Sequence, residues 1–272
     1  MSLTRREARR YLALLRIPES KPSFDALVAI VRAHLMNVPF ENISKLYRWK
    51  AAGTRDLPDC TQYLEGIERY HFGGTCYANN YHLYELLSAL GYDAILCGAD
   101  MSQPDVHMVS IVRLGGKEYI VDAGYAAPFL EPLPRDWPTD YVISLGADRY
   151  VLSPKTPDGR SQISHFRDGA ARHGYLLNPA PRHIEEFRPV IADSFRPDAT
   201  FMNAVLLVKF GVGHSTGLRN LELIESDEAR SRTTSFKTLE ELIAAIHKHF
   251  SIPISISRAA LDGLSLRRDA WS

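Results

Sequence analysis

The spacing of apolar residues changes at Gly91-Tyr92, from a helical period before it to a period of two after it, and turns helical again towards the end of the chain. Upstream, Leu27, Ile30, Val31 and Leu35 recur at helical intervals behind Ser23, a suitable capping residue, and Pro39 ends the run. A second helix is expected after Gly73-Gly74. There Tyr77, Tyr81, Tyr84 and Leu87, with Leu83, Leu86 and Leu90 beside them, form a broad apolar face that stops at Gly91. Downstream, residues 93–98, 106–114 and 117–122 read as strands, the last two joined by Gly115-Gly116. Strands are also expected over 141–153 and 162–167, a hairpin from 203–210 and 218–224, and a helix over 238–250 with Leu239, Leu242, Ile243 and Ile246 inward. Helices, then many strands, then a strand pair and a helix predict an α+β fold rather than alternating βαβ units.

Composition narrows the function. Lys and Arg number 32 against 32 Asp and Glu, so no global basic field is available for nucleic acid. No apolar run approaches the ~18 residues of a membrane helix. The basic start, Arg5 to Arg10, precedes only a short apolar run without a cleavage site, so a secretory route is not expected. Both this start and Arg267-Arg268 read as solvated charges. Cys60, Cys76 and Cys97 are odd in number and lack C-x-x-C spacing, which suits a reducing cytosol and argues against a disulfide framework or zinc cage. His247 and His249 would point to different helix faces, and Gly211-Val212-Gly213 reads as a hairpin loop rather than a dinucleotide fingerprint.

A thiol therefore remains to be explained. Cys76 opens a helix, where the positive end of the macrodipole favours a thiolate, and Gly73-Gly74 would let backbone approach a substrate closely. A buried structural cysteine is the competing reading. Cys60 lies in a Pro-flanked, loop-like stretch and Cys97 in an apolar strand. A nucleophilic thiol needs a base and the base an orienting group. With a two-residue turn at Gly115-Gly116, Arg113 faces Glu118 and Val109 faces Asp122. His107 and Asp122 then become diagonal neighbours, roughly 7–8 Å apart at the backbone, on one face; a three-residue loop would put them on opposite faces. In that register Asp122 orients His107, His107 takes the proton of Cys76, and the sulfur attacks a thioester and passes the acyl group to an amine, hydroxyl or hydrazine.

The assembled residues resemble the arylamine N-acetyltransferase family from about Tyr11 to Leu264. Val38-Pro39-Phe40-Glu41-Asn42 resembles its PFEN segment, and Gly73-Gly74-Thr75-Cys76 with Asn80 resembles R-G-G-x-C-x-x-x-N. His107-Met108 resembles the histidine motif and Val121-Asp122-Ala123-Gly124-Tyr125 resembles V-D-V-G-F. The resemblance implies a helical domain (1–90), a β-barrel domain (91–198) and an α/β lid (199–272) around a Cys-His-Asp core like that of transglutaminases and papain-like proteases. It also implies ping-pong acetyl transfer from acetyl-CoA to arylamines, hydrazines or N-hydroxyarylamines, in the cytoplasm and without metal, nucleic acid or membrane. Cys76 would be the acetylated nucleophile, His107 the base and Asp122 its partner; Phe40 would line the acceptor pocket, and Gly124 and Tyr125 the coenzyme A arm. The chain departs from the family at Phe72, where arginine is usual, at Ala78, and at Ala126-Ala127, where glycine is usual. Glu41 thus lacks its arginine, so either another base such as Arg69 replaces it or Glu41 is solvated. An amide synthase, a thiol hydrolase or transglutaminase-like enzyme, and a non-catalytic binder remain as alternatives.

Overall fold

A computed structural model describes residues 3–264, so the Arg267-Arg268 pair lies outside the described residues. The first part is helical: α1 (Arg5–Leu15), α2 (Phe24–Asn37), a two-residue strand β1 (Phe40–Glu41), α3 (Ile43–Ala52), α4 (Cys60–Tyr70) and α5 (Cys76–Ala89). Ser23 caps α2 as expected, its Oγ accepting from Ala26 N–H at 3.1 Å. The arginines of the basic start are solvated, as expected, on the outer face of a helix. Thr4 and Glu7 form a capping box, and α1 buries Ala8, Tyr11, Leu12 and Leu15 while its arginines line the outer face. Cys60 is likewise not in a loop: it opens α4 behind the N-cap Asp59, and burial pushes its thiol up to about 12.

Strands β2 (Asp93–Asp100), β3 (His107–Leu114), β4 (Lys117–Val121), β5 (Leu133–Pro134), β6 (Tyr141–Leu145), β7 (Asp148–Leu152), β8 (Ser161–Arg167) and β9 (Ala170–Pro181) make one sheet. Its order, β5-β4-β3-β2-β9-β8-β7-β6, curls into a nearly closed barrel around Val109, Ile111, Ile120, Tyr150, Tyr175 and Leu177. The β3–β4 register is the one the two-residue turn predicts: Leu114 faces Lys117 and Arg113 faces Glu118, with Arg113 Nε donating to Glu118 at 3.2 Å. Strand β9 has no clear sequence signature, because Gly174 and two prolines break its alternation. Gly174 is required there, since a Cβ would stand 2.2 Å from the Ile163 carbonyl oxygen.

After α6 (Ile184–Asp193) and α7 (Thr200–Asn203) come β10 (Leu206–Gly211), β11 (His214–Arg219), β12 (Glu222–Asp227) and β13 (Ser231–Ser235), then α8 (Leu239–Phe250) and α9 (Ile254–Leu261). The expected hairpin shifts. Gly213, at φ 71°, turns β10 directly into β11, so β10 pairs with residues 214–219 rather than 218–224, and Asn203 ends a helical turn instead. The helix expected over 238–250 is α8, with Thr238 as its N-cap rather than its first residue. The second sheet, β1-β10-β11-β12-β13, takes its edge strand from the helical part of the chain. Among the described residues no helix is long and apolar enough to cross a membrane.

The helical layer encloses a polar line. Tyr11 Oη lies 3.0 Å from His34 Nδ1, and Tyr63 donates to Asn79 Oδ1 at 3.0 Å and stacks on His82 with ring centroids 4.1 Å apart. Burial pulls His34 down to about 3 and His82 to about 4, from the ordinary 6.5. Because the folded values are depressed, this stability is complete above pH 6.5 and is lost as pH falls towards them. Between pH 6 and 4 the unfolding free energy is expected to drop by up to about 1.4 kcal/mol per pH unit for each histidine. Urea titrations across that interval test this, and a flat profile would contradict two neutral buried imidazoles.

Candidate active site

Cys76 is the first residue of α5, His107 the first of β3, and Asp122 follows β4 directly. All three are buried. His107 Nε2 lies 2.8 Å from Asp122 Oδ2, the diagonal pairing that the hairpin register allows. The other ring nitrogen is left free of Asp122, and the Cys76 sulfur, which lies 4.0 Å from the Val106 carbonyl oxygen, is close enough to favour a protonated ring. Burial opposes the imidazolium, but the Asp122 charge and hydrogen bond, with the Cys76 sulfur, outweigh it and push His107 up to about 10. For Asp122, burial favours the neutral acid, yet His107, the Asn80 amide and the Gly124 N–H hold the carboxyl below its usual range.

Asn80 fixes this geometry. Its Nδ2 donates to Asp122 Oδ1 at 2.8 Å and to the Met108 carbonyl, while its Oδ1 accepts from Ala123 N–H at 2.7 Å. One amide thus ties the nucleophile helix to both strands of the hairpin. Sequence reasoning gave Asn80 no role, although its i, i+4 spacing from Cys76 places both on one helix face. Tyr175, which packs on the His107 ring at 4.8 Å between centroids, was hidden with the rest of β9.

Two elements meet here without room for a side chain. A Cβ at Gly124 would stand 2.5 Å from Cys76 Cα and 2.9 Å from the Cys76 carbonyl oxygen. Gly73 and Gly74 also permit close approach, but not by a substrate: the space at Gly73 belongs to the Pro39 carbonyl, 1.8 Å from where its Cβ would be, and that at Gly74 to Ala78. The neighbouring Ala126 has φ 59°, a left-handed conformation that costs an alanine about 1–2 kcal/mol and that glycine would adopt freely.

Glu41 is neither solvated nor paired with Arg69, whose guanidinium lies over Tyr70. Its carboxylate is fully buried and accepts backbone N–H groups of Ser44 at 2.8 Å and Gly73 at 3.1 Å. Backbone donors have taken the place of an arginine, and Phe72 packs against Tyr47 and Tyr70 instead. Burial nevertheless raises the Glu41 pKa. Glu41→Gln places an amide N–H against one of these donors and is expected to cost about 1–3 kcal/mol by urea unfolding at pH 7. An unchanged midpoint would show that the donors find other acceptors.

The site opens on a cavity of about 710 Å³ between the barrel and the second sheet. Cys76, His107, Phe40, Gly124 and Tyr125 all line it, while Asp122 stands behind His107. Phe40 packs on Phe201 at 5.7 Å, and Tyr125 Oη lies 2.8 Å from His173 Nδ1. Arg172 and Arg219 reach the same wall, and Arg167 does so while bonded twice to Asp148. Cys97, buried in β2, takes no part, and burial pushes its thiol up to about 12. The described residues contain no group of three or more His, Cys, Asp or Glu side chains that could hold a metal ion.

A family model described as N-acetyltransferase matches residues 23–259. The pineal gland isozyme NAT-3 of arylamine N-acetyltransferase from Gallus gallus is 28% identical over 282 residues, covering 89% of this chain and 94% of its own length. Proansamycin X synthase from Amycolatopsis mediterranei is 30% identical over 123 residues, 42% of this chain and 46% of that protein. The arylamine N-acetyltransferase of Mycobacterium marinum, solved in complex with CoA, has the same fold: TM-score 0.80 at 18% identity, covering 94% of this chain and 99% of that one.

Proposed function

The chain belongs to the arylamine N-acetyltransferase family, and from that premise we propose that it transfers an acetyl group from acetyl-CoA to an arylamine, hydrazine or N-hydroxyarylamine through a thioester on Cys76. The observation that carries the reading is His107, held by Asp122 at 2.8 Å and close enough to the Cys76 sulfur to interact with it, at the wall of a cavity of about 710 Å³ that both line.

In the first half-reaction His107 takes the Cys76 proton. The sulfur adds to the thioester carbonyl, the C–S bond to coenzyme A breaks, and the departing thiolate recovers the proton from the imidazolium. In the second, the acceptor nitrogen adds to the acetyl carbonyl, gives its proton to His107, and the Cys76 C–S bond breaks to restore the resting pair. Asp122 stays ionised throughout; it sets the tautomer and supports the imidazolium. Phe40, Tyr125 and Phe201 offer aromatic faces to an aryl acceptor, and Arg172 and Arg219 supply positive charge for an anionic donor without making the whole chain basic.

Intact-mass measurement after mixing with acetyl-CoA tests the reading directly. One acetyl adduct is expected, absent in Cys76→Ser and discharged by an added arylamine. No adduct from any acyl thioester would sink it. A second reading, beside the likeness to proansamycin X synthase, is an amide synthase that takes a different acyl thioester. An adduct from other acyl thioesters but not from acetyl-CoA would select that one.

A further inference from the structure

A second and much smaller cavity, of about 50 Å³, shares no lining residue with the one that Cys76 and His107 line. Its wall includes Gly74, Thr75 and Tyr77, the neighbours of Cys76, together with Lys45 and Arg48 from α3 and Ser194 at the end of α6. Lys45 is unusual for a lysine: it is only 8% exposed, and among the described residues no ion pair involves it. Its ammonium donates to Ser194 Oγ at 2.6 Å and sits 4.0 Å above the Phe195 ring. Ser194 gives its own proton to the Ile191 carbonyl at 2.6 Å, so its oxygen is the acceptor for one of three ammonium N–H groups.

Arg48 adds a second cation. Its Nη2 donates to Gln62 at 3.0 Å, while its Nη1 is buried without a hydrogen-bond partner. The carboxylate on this wall, Asp56, is engaged elsewhere, by Arg188 and by the Leu57 N–H at 2.8 Å. Two cations with unassigned donors thus face a space large enough for a small guest; the charges of Asp59 and Asp56 offset Arg48 in part, but Lys45 forms no ion pair among the described residues, and burying it so is costly.

We infer that this cavity is a binding site for a small monovalent anion of halide size, held between Lys45 and Arg48. A monatomic anion fits the volume, accepts from both donors and, unlike a neutral water, offsets their positive charge. The site also has a consequence for the reaction. Lys45 is near enough to Cys76 for the two charges to interact, so a halide beside Lys45 offsets the positive charge that the sulfur experiences from that side.

Crystals grown in sodium bromide should show an anomalous peak in the cavity within hydrogen-bond distance of Lys45 Nζ and Arg48 Nη1. In solution, thermal unfolding is followed in bromide and in gluconate at equal ionic strength, so that surface screening cancels. A bromide Kd of ~10 mM would raise the folding equilibrium constant roughly 30-fold at 0.3 M salt. Lys45→Met should abolish the difference between the two salts. If that variant does not fold, Arg48→Gln, at a half-buried position, should weaken the bromide effect at least roughly tenfold. Alkylation of Cys76 by N-ethylmaleimide at pH 7 should be slower in bromide than in gluconate for the wild-type protein alone. No anomalous density, with equal stability in both salts, would mean that the cavity holds only water and would overturn the inference. None of these readouts uses a donor or an acceptor, so they stand apart from the outcome of the acetylation test.

Discussion

Asp122→Asn is expected to lower kcat/KM by about three to four orders of magnitude with little change in fold. Asp122 Oδ1 accepts two N–H groups, from Asn80 at 2.8 Å and Gly124 at 2.9 Å, while Oδ2 faces His107 Nε2. An asparagine keeps both donors satisfied only by placing its carbonyl oxygen at the Oδ1 position. Its NH2 then faces His107 and requires Nε2 as an acceptor, which leaves the proton on the nitrogen that should receive it from Cys76. The imidazole is held in the wrong tautomer. The charge that pushes His107 up to about 10 is lost as well, so the ring should titrate lower in the variant. Steady-state rates, with the imidazole followed by NMR across pH, test both parts. A loss of less than tenfold would remove Asp122 from the mechanism.

Gly124→Ala is expected to damage stability and activity together. Its methyl would stand 2.5 Å from Cys76 Cα and 2.7 Å from Asn80 Nδ2, both on a helix held by its own hydrogen bonds. The loop carrying Asp122 must withdraw, at a cost of about 1–3 kcal/mol. Because Asn80 bonds to Ala123 and Asp122 on that loop, withdrawal also breaks the frame around His107. A displacement near 1 Å at the reacting groups costs about 10²-fold in rate. Urea unfolding and acetyl-transfer rates on the same preparation test this. Wild-type activity in a destabilised variant would show that the loop can move without carrying Asp122 away from His107.

The parts of the site legible in the sequence are those set by local rules. The two-glycine turn fixed the register that places His107 beside Asp122, and the helix start placed Cys76 in the first turn of α5. The barrel was harder to read. Strand β9, which pairs with β2 on one side and β8 on the other, carries Gly174 and prolines whose fit depends on the neighbouring strand rather than on local preference. Glu41 failed for a related reason. Composition suggests a charged partner for a buried carboxylate, but the donors that satisfy it are backbone N–H groups, which have no letter in a sequence. Cys60 was misread because a capping box at Asp59 converts an apparently irregular stretch into a helix.

Strand β1 is two residues long, yet it joins the nucleophile loop to the far end of the chain. Phe40 bridges Gly74 on one side and pairs with Val208 on the other, and Asn42 Oδ1 accepts from Leu206 N–H, 164 residues away. At a synthesis rate of about 5–20 residues per second, the ribosome needs on the order of ten to thirty seconds to supply that partner after Asn42 emerges. Helices α1 to α5 can form during this interval with the β1 edge uncovered. The thiol therefore acquires its finished surroundings late, and a nascent chain stalled before β10 should present Cys76 to alkylating reagents without the protection of the closed sheet.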